Sequence, residues 1–163
     1  MTLTLVLGGA RSGKSGYAQR QAERAAEAAG RPPVFIATAE AFDDEMRDRI
    51  ARHQAERGQG WRRVEAPLDL AGAVRALSAQ DVAVVDCLTL WLSNQMLGEH
   101  DLAAAVDDLA QALAACPAAL WVVSNEVGWS LVPDNPLGRR FRDEAGRLNQ
   151  RIAAVADAAC LIV

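Results

Sequence analysis

Residues 8–15 read Gly8-Gly9-Ala10-Arg11-Ser12-Gly13-Lys14-Ser15, which matches the phosphate-loop pattern G-x-x-x-x-G-K-S without a mismatch. The segment before it, Thr2 to Leu7, is a run of Thr, Leu and Val and reads as a buried strand. The segment after it, Lys14 to Ala29, is alanine-rich with Arg and Glu interspersed, and Gly30 and Pro32-Pro33 stop it; this predicts a helix. Strand, glycine-rich turn and helix in that order are what a phosphate cradle requires. The glycines let the backbone curl so that successive N–H groups face phosphate oxygens, and the helix adds its positive end. Gly9, Ala10, Arg11, Ser12, Gly13, Lys14, Ser15 and Gly16 are therefore the expected nucleotide cradle. Lys14 would neutralise the outer phosphates and the Ser15 hydroxyl would coordinate Mg²⁺.

The rest of the chain agrees with such a loop. Strands are predicted at Val34 to Ala37, Trp61 to Glu65, Val82 to Val85, Leu120 to Ser124 and Cys160 to Val163. Helices are predicted after the acidic start Asp43-Asp44-Glu45, over Asp69 to Leu77, Leu102 to Ala115 and Arg139 to Ala156. Strands alternating with helices imply an α/β fold of the P-loop NTPase type, a mostly parallel sheet with helices on both faces. At 163 residues the length suits one domain, 1–163.

Composition narrows the function. With 51% apolar and 23% charged residues and a net charge of −4, there is neither wholesale disorder nor a basic field for nucleic acid. No apolar run is long enough for a membrane span. Cys87, Cys116 and Cys160 are scattered and odd in number, and read as reduced thiols of a cytoplasmic protein. Of the 17 basic residues one alone is lysine, Lys14, at the position where a compact point charge on a thin stem is needed.

Asp86 closes the Val82 to Val85 strand and is the candidate second metal-shell residue; the competing reading is a turn or helix start. His53 shares a helix face with Met46 and Ile50. On those grounds alone a core or edge histidine fits better than a catalyst, although Arg47, Arg49, Arg52 and Arg57 surround it. Asn125 and Glu126, after the fifth strand, read equally as ligand contacts or as a turn and helix cap. Arg139, Arg140 and Arg142 form either an anion patch or a solvated surface. Trp91, Trp121 and Trp129 read as core or subunit interface before a ligand platform. No Asn-Lys-x-Asp base-reading motif accompanies the loop, which argues against a guanine-specific switch.

An ordered set of segments places the chain. Besides the phosphate loop these are Ile36-Ala37-Thr38-Ala39, Asp43-Asp44-Glu45-Met46, Arg49-Ile50-Ala51-Arg52-His53, Trp61-Arg62-Arg63-Val64-Glu65, Asp86-Cys87-Leu88-Thr89 and Asn125-Glu126-Val127-Gly128. Together they resemble the bifunctional adenosylcobinamide kinase / adenosylcobinamide-phosphate guanylyltransferase family of cobalamin biosynthesis, from Leu5 through Cys160. The resemblance implies that ATP or GTP with Mg²⁺ phosphorylates adenosylcobinamide, and that GMP then passes from GTP through a histidine to adenosylcobinamide-phosphate. It implies catalytic roles for His53 and Lys14, metal contacts from Ser15 and Asp86, and guanine-nucleotide contacts from Ala37, Thr38, Ala39, Gln54, Ala55, Glu56, Arg57 and Glu65. A homotrimer is implied as well, with no nucleic-acid or membrane partner. Some relatives carry a second histidine where this chain has Arg52. Two other classes stay open: a kinase of another small alcohol with a structural His53, and a non-enzymatic nucleotide-binding subunit.

Overall fold

The computed structural model describes residues 2–40, 44–57 and 60–163; of His53, Gln54, Glu56 and Arg57 only the helical backbone is described. Asp43 and Gly58, expected to open and close a helix, lie outside the described residues.

Among the described residues six strands and six helices follow one another as β1 (Thr2–Gly8), α1 (Lys14–Ala29), β2 (Val34–Ala37), α2 (Asp44–Arg57), β3 (Arg62–Glu65), α3 (Leu70–Arg75), β4 (Val82–Asp86), α4 (Leu88–Leu97), α5 (Leu102–Ala115), β5 (Ala119–Asn125), α6 (Pro136–Ala153) and β6 (Ala158–Ile162). The strands form one sheet in the order β3-β2-β4-β5-β1-β6, and every pairing is parallel. The fold expected from the sequence is the fold observed.

Alternation along each strand sorts side chains to two faces. Leu5, Ile36, Val85 and Val122 join one core with α3, α4, α5 and α6. Val6, Phe35, Val84 and Val123 join the other with Ala18, Ala22 and Ala26 of α1. Those alanines recur every four residues, so α1 presents a smooth face that settles closely on the sheet. Gly30 ends the helix in the left-handed conformation, φ 66°, its amide turned back to the Glu27 carbonyl.

Two sequence expectations change. Helix α4 was not anticipated, and α6 begins at Pro136 rather than Arg139 and ends at Ala153 rather than Ala156. Asn135 caps α6 by accepting from the Gly138 amide at 2.7 Å, and proline is tolerated in a first turn because that N–H needs no helical partner. The strand that Asp86 closes is not next to that of the phosphate loop: β5 separates β4 from β1.

Candidate functional site

Two residues of the phosphate loop hold left-handed backbone, Arg11 at φ 57° and Gly13 at φ 91°. The first is unusual for a side chain that large; the second is where glycine belongs. Between them they curl the loop. The amides of Ala10, Arg11 and Gly13 have no acceptor among the described residues, while the Ser12 amide donates weakly to the Gly9 carbonyl at 3.3 Å. Gly8 permits the close approach beneath: a Cβ there would collide with Ser12 and come within 2.8 Å of the Ile162 carbonyl. Lys14 is buried, and its Nζ donates to the Gly9 carbonyl at 2.9 Å. Ser12 Oγ is buried without a partner, alone in this among the described side chains. Free amides, an unpaired hydroxyl, a lysine ammonium and a helix N-terminus form a donor set suited to phosphate oxygens.

The loop opens onto a cleft of about 120 Å³ lined by Ser15, Phe35, Ala37, Ala39, Met46, Arg49, Ile50, Arg63, Asp86 and Leu90. Ser15 and Asp86 both line it although β5 lies between β4 and the strand that leads into the phosphate loop, β1. The reason is that α1 packs on β4 and β5 as well as β1, which carries its first turn across the sheet. A hydroxyl and a carboxylate beside a phosphate cradle are hard oxygen ligands of the kind Mg²⁺ takes, so these residues fit that ion.

The opposite wall is α2. Met46 and Ile50 face the cleft, and His53 follows Ile50 by three residues along the same helix. Arg49 of α2, within 3.7 Å of Glu45, and Arg63 of β3, 3.3 Å from Glu65, bring guanidinium groups to the same cleft. Glu65 is exposed and pairs in register with Ala37 at the sheet edge. Ala55 is exposed on α2, and Gly16 lies in the first turn of α1. The side chains of His53, Gln54, Glu56 and Arg57 lie outside the described residues.

Thr38 differs from its neighbours. It is fully buried, and its hydroxyl donates to the Cys87 carbonyl at 2.7 Å while accepting from the Cys87 amide at 2.8 Å. Its side chain ties the end of β2 to the end of β4 rather than reaching the cleft. Burial, reinforced by the adjacent Asp86 charge, pushes the Cys87 thiol up to about 11.

The segment after β5 is braced from within. Glu126 Oε1 accepts from the Gly128 amide at 2.6 Å, Arg142 donates to the Gly128 carbonyl and Arg139 to the Pro133 carbonyl at 3.0 Å. The arginines read from sequence as an anion patch or solvated surface thus include two that hold this loop. Sequence reasoning assigned no role to Arg63 beyond its segment, although a basic residue near a strand's carboxyl end was a usable signal. Trp91 is core, whereas Trp129 is 74% exposed.

Comparison with known proteins adds the following. The family model described as cobinamide kinase / cobinamide phosphate guanyltransferase matches residues 4–163. A bifunctional adenosylcobalamin biosynthesis protein, CobP, from Pseudomonas aeruginosa is 47% identical over 91% of this chain and 86% of its own length. The bifunctional adenosylcobalamin biosynthesis protein CobU of Salmonella typhimurium is 40% identical over 99% of this chain and 95% of its own. Among solved structures, a KaiC-like protein from Pyrococcus horikoshii superposes with a TM-score of 0.55 at 17% identity, over 98% of this chain and 70% of that one; that likeness concerns the fold.

Proposed function

The chain belongs to the cobinamide kinase / cobinamide phosphate guanyltransferase family, and we propose that it performs both reactions at the cleft beside its phosphate loop, with His53 carrying the guanylyl group. The observation that carries this reading is that Ser15 and Asp86 share one cleft with the Met46 and Ile50 face of α2, the helix on which His53 follows Ile50 by three residues. Phosphate cradle and nucleophile-bearing helix then face one nucleotide.

In the kinase step the hydroxyl of adenosylcobinamide attacks the γ-phosphate of ATP or GTP. The bond from the γ-phosphorus to the β,γ-bridging oxygen breaks, the nucleoside diphosphate leaves and the hydroxyl proton passes to solvent. Lys14 and the loop amides hold the phosphate chain in line and neutralise the charge that builds on it. Ser15 and Asp86 would hold Mg²⁺, which when bound screens the phosphate oxygens.

In the transferase step a neutral imidazole nitrogen of His53 attacks the α-phosphorus of GTP and pyrophosphate leaves. A phosphate oxygen of adenosylcobinamide-phosphate then displaces the imidazole and gives adenosylcobinamide-GDP. Dividing the displacement between two anions into two steps gives each a better partner. Arg49 and Arg63 supply positive charge along the route. The nucleotide contacts assigned to Ala37, Ala39, Gln54, Ala55, Glu56, Arg57 and Glu65 belong to this reading; Thr38 contributes through its tie to Cys87.

Three free cysteines and no described helix long and apolar enough to cross a membrane support a cytoplasmic setting. A homotrimer completes the proposal, and exposed Trp129, Leu131, Val132 and Leu137 are apolar surface of the kind a second copy would cover.

The experiment is incubation with Mg²⁺ and GTP labelled on the α-phosphate, then denaturation and a search for label on protein, with His53→Ala beside the wild type. An acid-labile, alkali-stable adduct absent from the variant is expected. A folded, GTP-binding wild type that takes up no label would overturn the guanylyl-histidine step.

A further inference from the structure

Three adjacent strands end side by side with the same face toward α1. On β1, Val6 belongs to the core beneath α1, so Gly8, two residues on, shares that face, and the phosphate loop lies directly over it. On β4, Val84 belongs to that core, so Asp86 shares it as well. Between them runs β5, where Val123 packs under α1 and Ser124 points the other way, donating to Asn149 Oδ1 of α6 at 2.6 Å. Asn125 therefore returns to the α1 face. Its register partner is Gly8, while that of Val123 is Asp86. This asparagine stands between the phosphate loop and the metal-side carboxylate, one step further out along the sheet.

Its backbone is held from both sides. The Asn125 amide donates to Thr89 Oγ1 at 2.8 Å, and its carbonyl accepts from Asn149 Nδ2 at 3.3 Å. The next amide, that of Glu126, donates to the Gly8 carbonyl at 2.9 Å. The Glu126 carboxylate is turned to its own loop through Gly128. The Asn125 carboxamide, in contrast, makes no hydrogen bond among the described residues. Fixed backbone and an uncommitted donor describe a group positioned for a ligand.

We propose that the Asn125 side-chain amide contacts the γ-phosphate of the bound nucleoside triphosphate and is a catalytic residue of the kinase step. Lys14 and the loop amides reach the phosphate chain from the β1 side, and Asp86 bounds it from the β4 side. A group on β5 beyond both meets the outermost phosphate. A neutral donor there strengthens its bond as charge moves onto the γ-oxygens in the transition state, whereas a carboxylate would repel them. The guanylyl step reacts at the α-phosphorus and depends on this contact less. The assignment deepens the kinase half of the reading above and rests on it for its catalytic consequence, but the contact itself can be read by binding alone.

The test uses the full chain with Mg²⁺, wild type beside Asn125→Ala and the isosteric Asn125→Asp. Affinity is measured for GDP and for a GTP analogue with a non-hydrolysable β,γ-bridge, and kinase kcat and KM are measured with adenosylcobinamide. Asn125→Ala is expected to lose about tenfold in affinity for the analogue with GDP binding unchanged, and roughly 10²-fold in kinase kcat. Asn125→Asp, which keeps the shape, is expected to lose at least as much. Equal losses for GDP and the analogue, or no loss for either, would overturn the assignment. If the wild type binds the analogue through Asn125 yet transfers no phosphate to adenosylcobinamide, the contact stands and the kinase reading falls. If the kinase is active and indifferent to both substitutions, the reading stands and the role of Asn125 falls.

Discussion

The Thr38 hydroxyl serves both hydrogen-bonding groups of Cys87, its amide at 2.8 Å and its carbonyl at 2.7 Å, and both residues are buried. Replacing Thr38 by the isosteric valine leaves the buried Cys87 amide unpaired, at a cost of about 1–3 kcal/mol, while the Cys87 carbonyl keeps only the Trp91 amide at 3.2 Å, and so loosens the backbone beside Asp86. Thr38→Val is therefore expected to lower the urea midpoint markedly and to weaken Mg²⁺-dependent nucleotide binding, while Thr38→Ser keeps both near wild type. Equal midpoints for the valine variant and wild type would show that the tie carries no weight. Cys87 itself gives a second expectation. With its thiol pushed up to about 11 by burial and then by Asp86, about one molecule in a thousand carries a thiolate at pH 8. Maleimide at that pH is expected to label Cys87 only after unfolding, read by peptide mass analysis; labelling in native buffer would mean that the end of β4 opens.

At the opposite edge of the sheet Asp81 ties three elements together. It accepts from the Ser78 amide at 2.7 Å and hydroxyl at 2.9 Å, pairs with Arg62 of β3 at 3.1 Å, and meets Arg31 beyond the end of α1 at 3.8 Å. Burial by itself would raise its carboxyl pKa, but the Ser78 bonds and the two guanidinium groups outweigh it and hold the group below the usual carboxylate range. A folded value below the unfolded one means stability that is present above about pH 4 and is lost as pH falls through the folded value. Asp81→Asn is expected to lower Tm at pH 7 and flatten its decline below about pH 4, leaving nucleotide affinity intact; an unchanged acid limb would assign that limb to other carboxylates. Elements differ in how openly the sequence announces them. Helix α1 and helix α5 begin and end where punctuation is explicit: Gly13 and Gly30 flank the first, and Asp101 caps the second through the Ala104 amide at 3.1 Å. Helix α4 has a glycine, Gly98, at its end but no such mark at its start. Leu88, Trp91, Leu92 and Met96 are buried, so no polar face reveals its period, and Cys87 before it provides no side-chain cap.

The phosphate loop was legible because it is local, eight residues whose spacing is their geometry. The cleft was not, because Ser15, Ile50, Arg63 and Asp86 converge through the strand order, and nothing near β1 in sequence announces that β5 inserts beside it. Family resemblance supplied the role proposed for His53, which the apolar stripe of α2 on its own assigned to packing. The same convergence has a consequence for the whole enzyme. On the reading proposed above, one phosphate loop, with the single lysine of the chain, serves the γ-phosphate in one reaction and the α-phosphate in the other, so the two nucleotides compete for one place. An ATP analogue with a non-hydrolysable β,γ-bridge is therefore expected to inhibit the kinase step and the labelling of His53 by GTP with the same Ki, and Lys14→Ala to abolish both together. Ki values apart by about tenfold, or a Lys14→Ala variant that still captures GMP, would require a second nucleotide site. Equal values would make each molecule choose between its two reactions at every turnover, with the phosphorylation state of the corrinoid deciding which one follows.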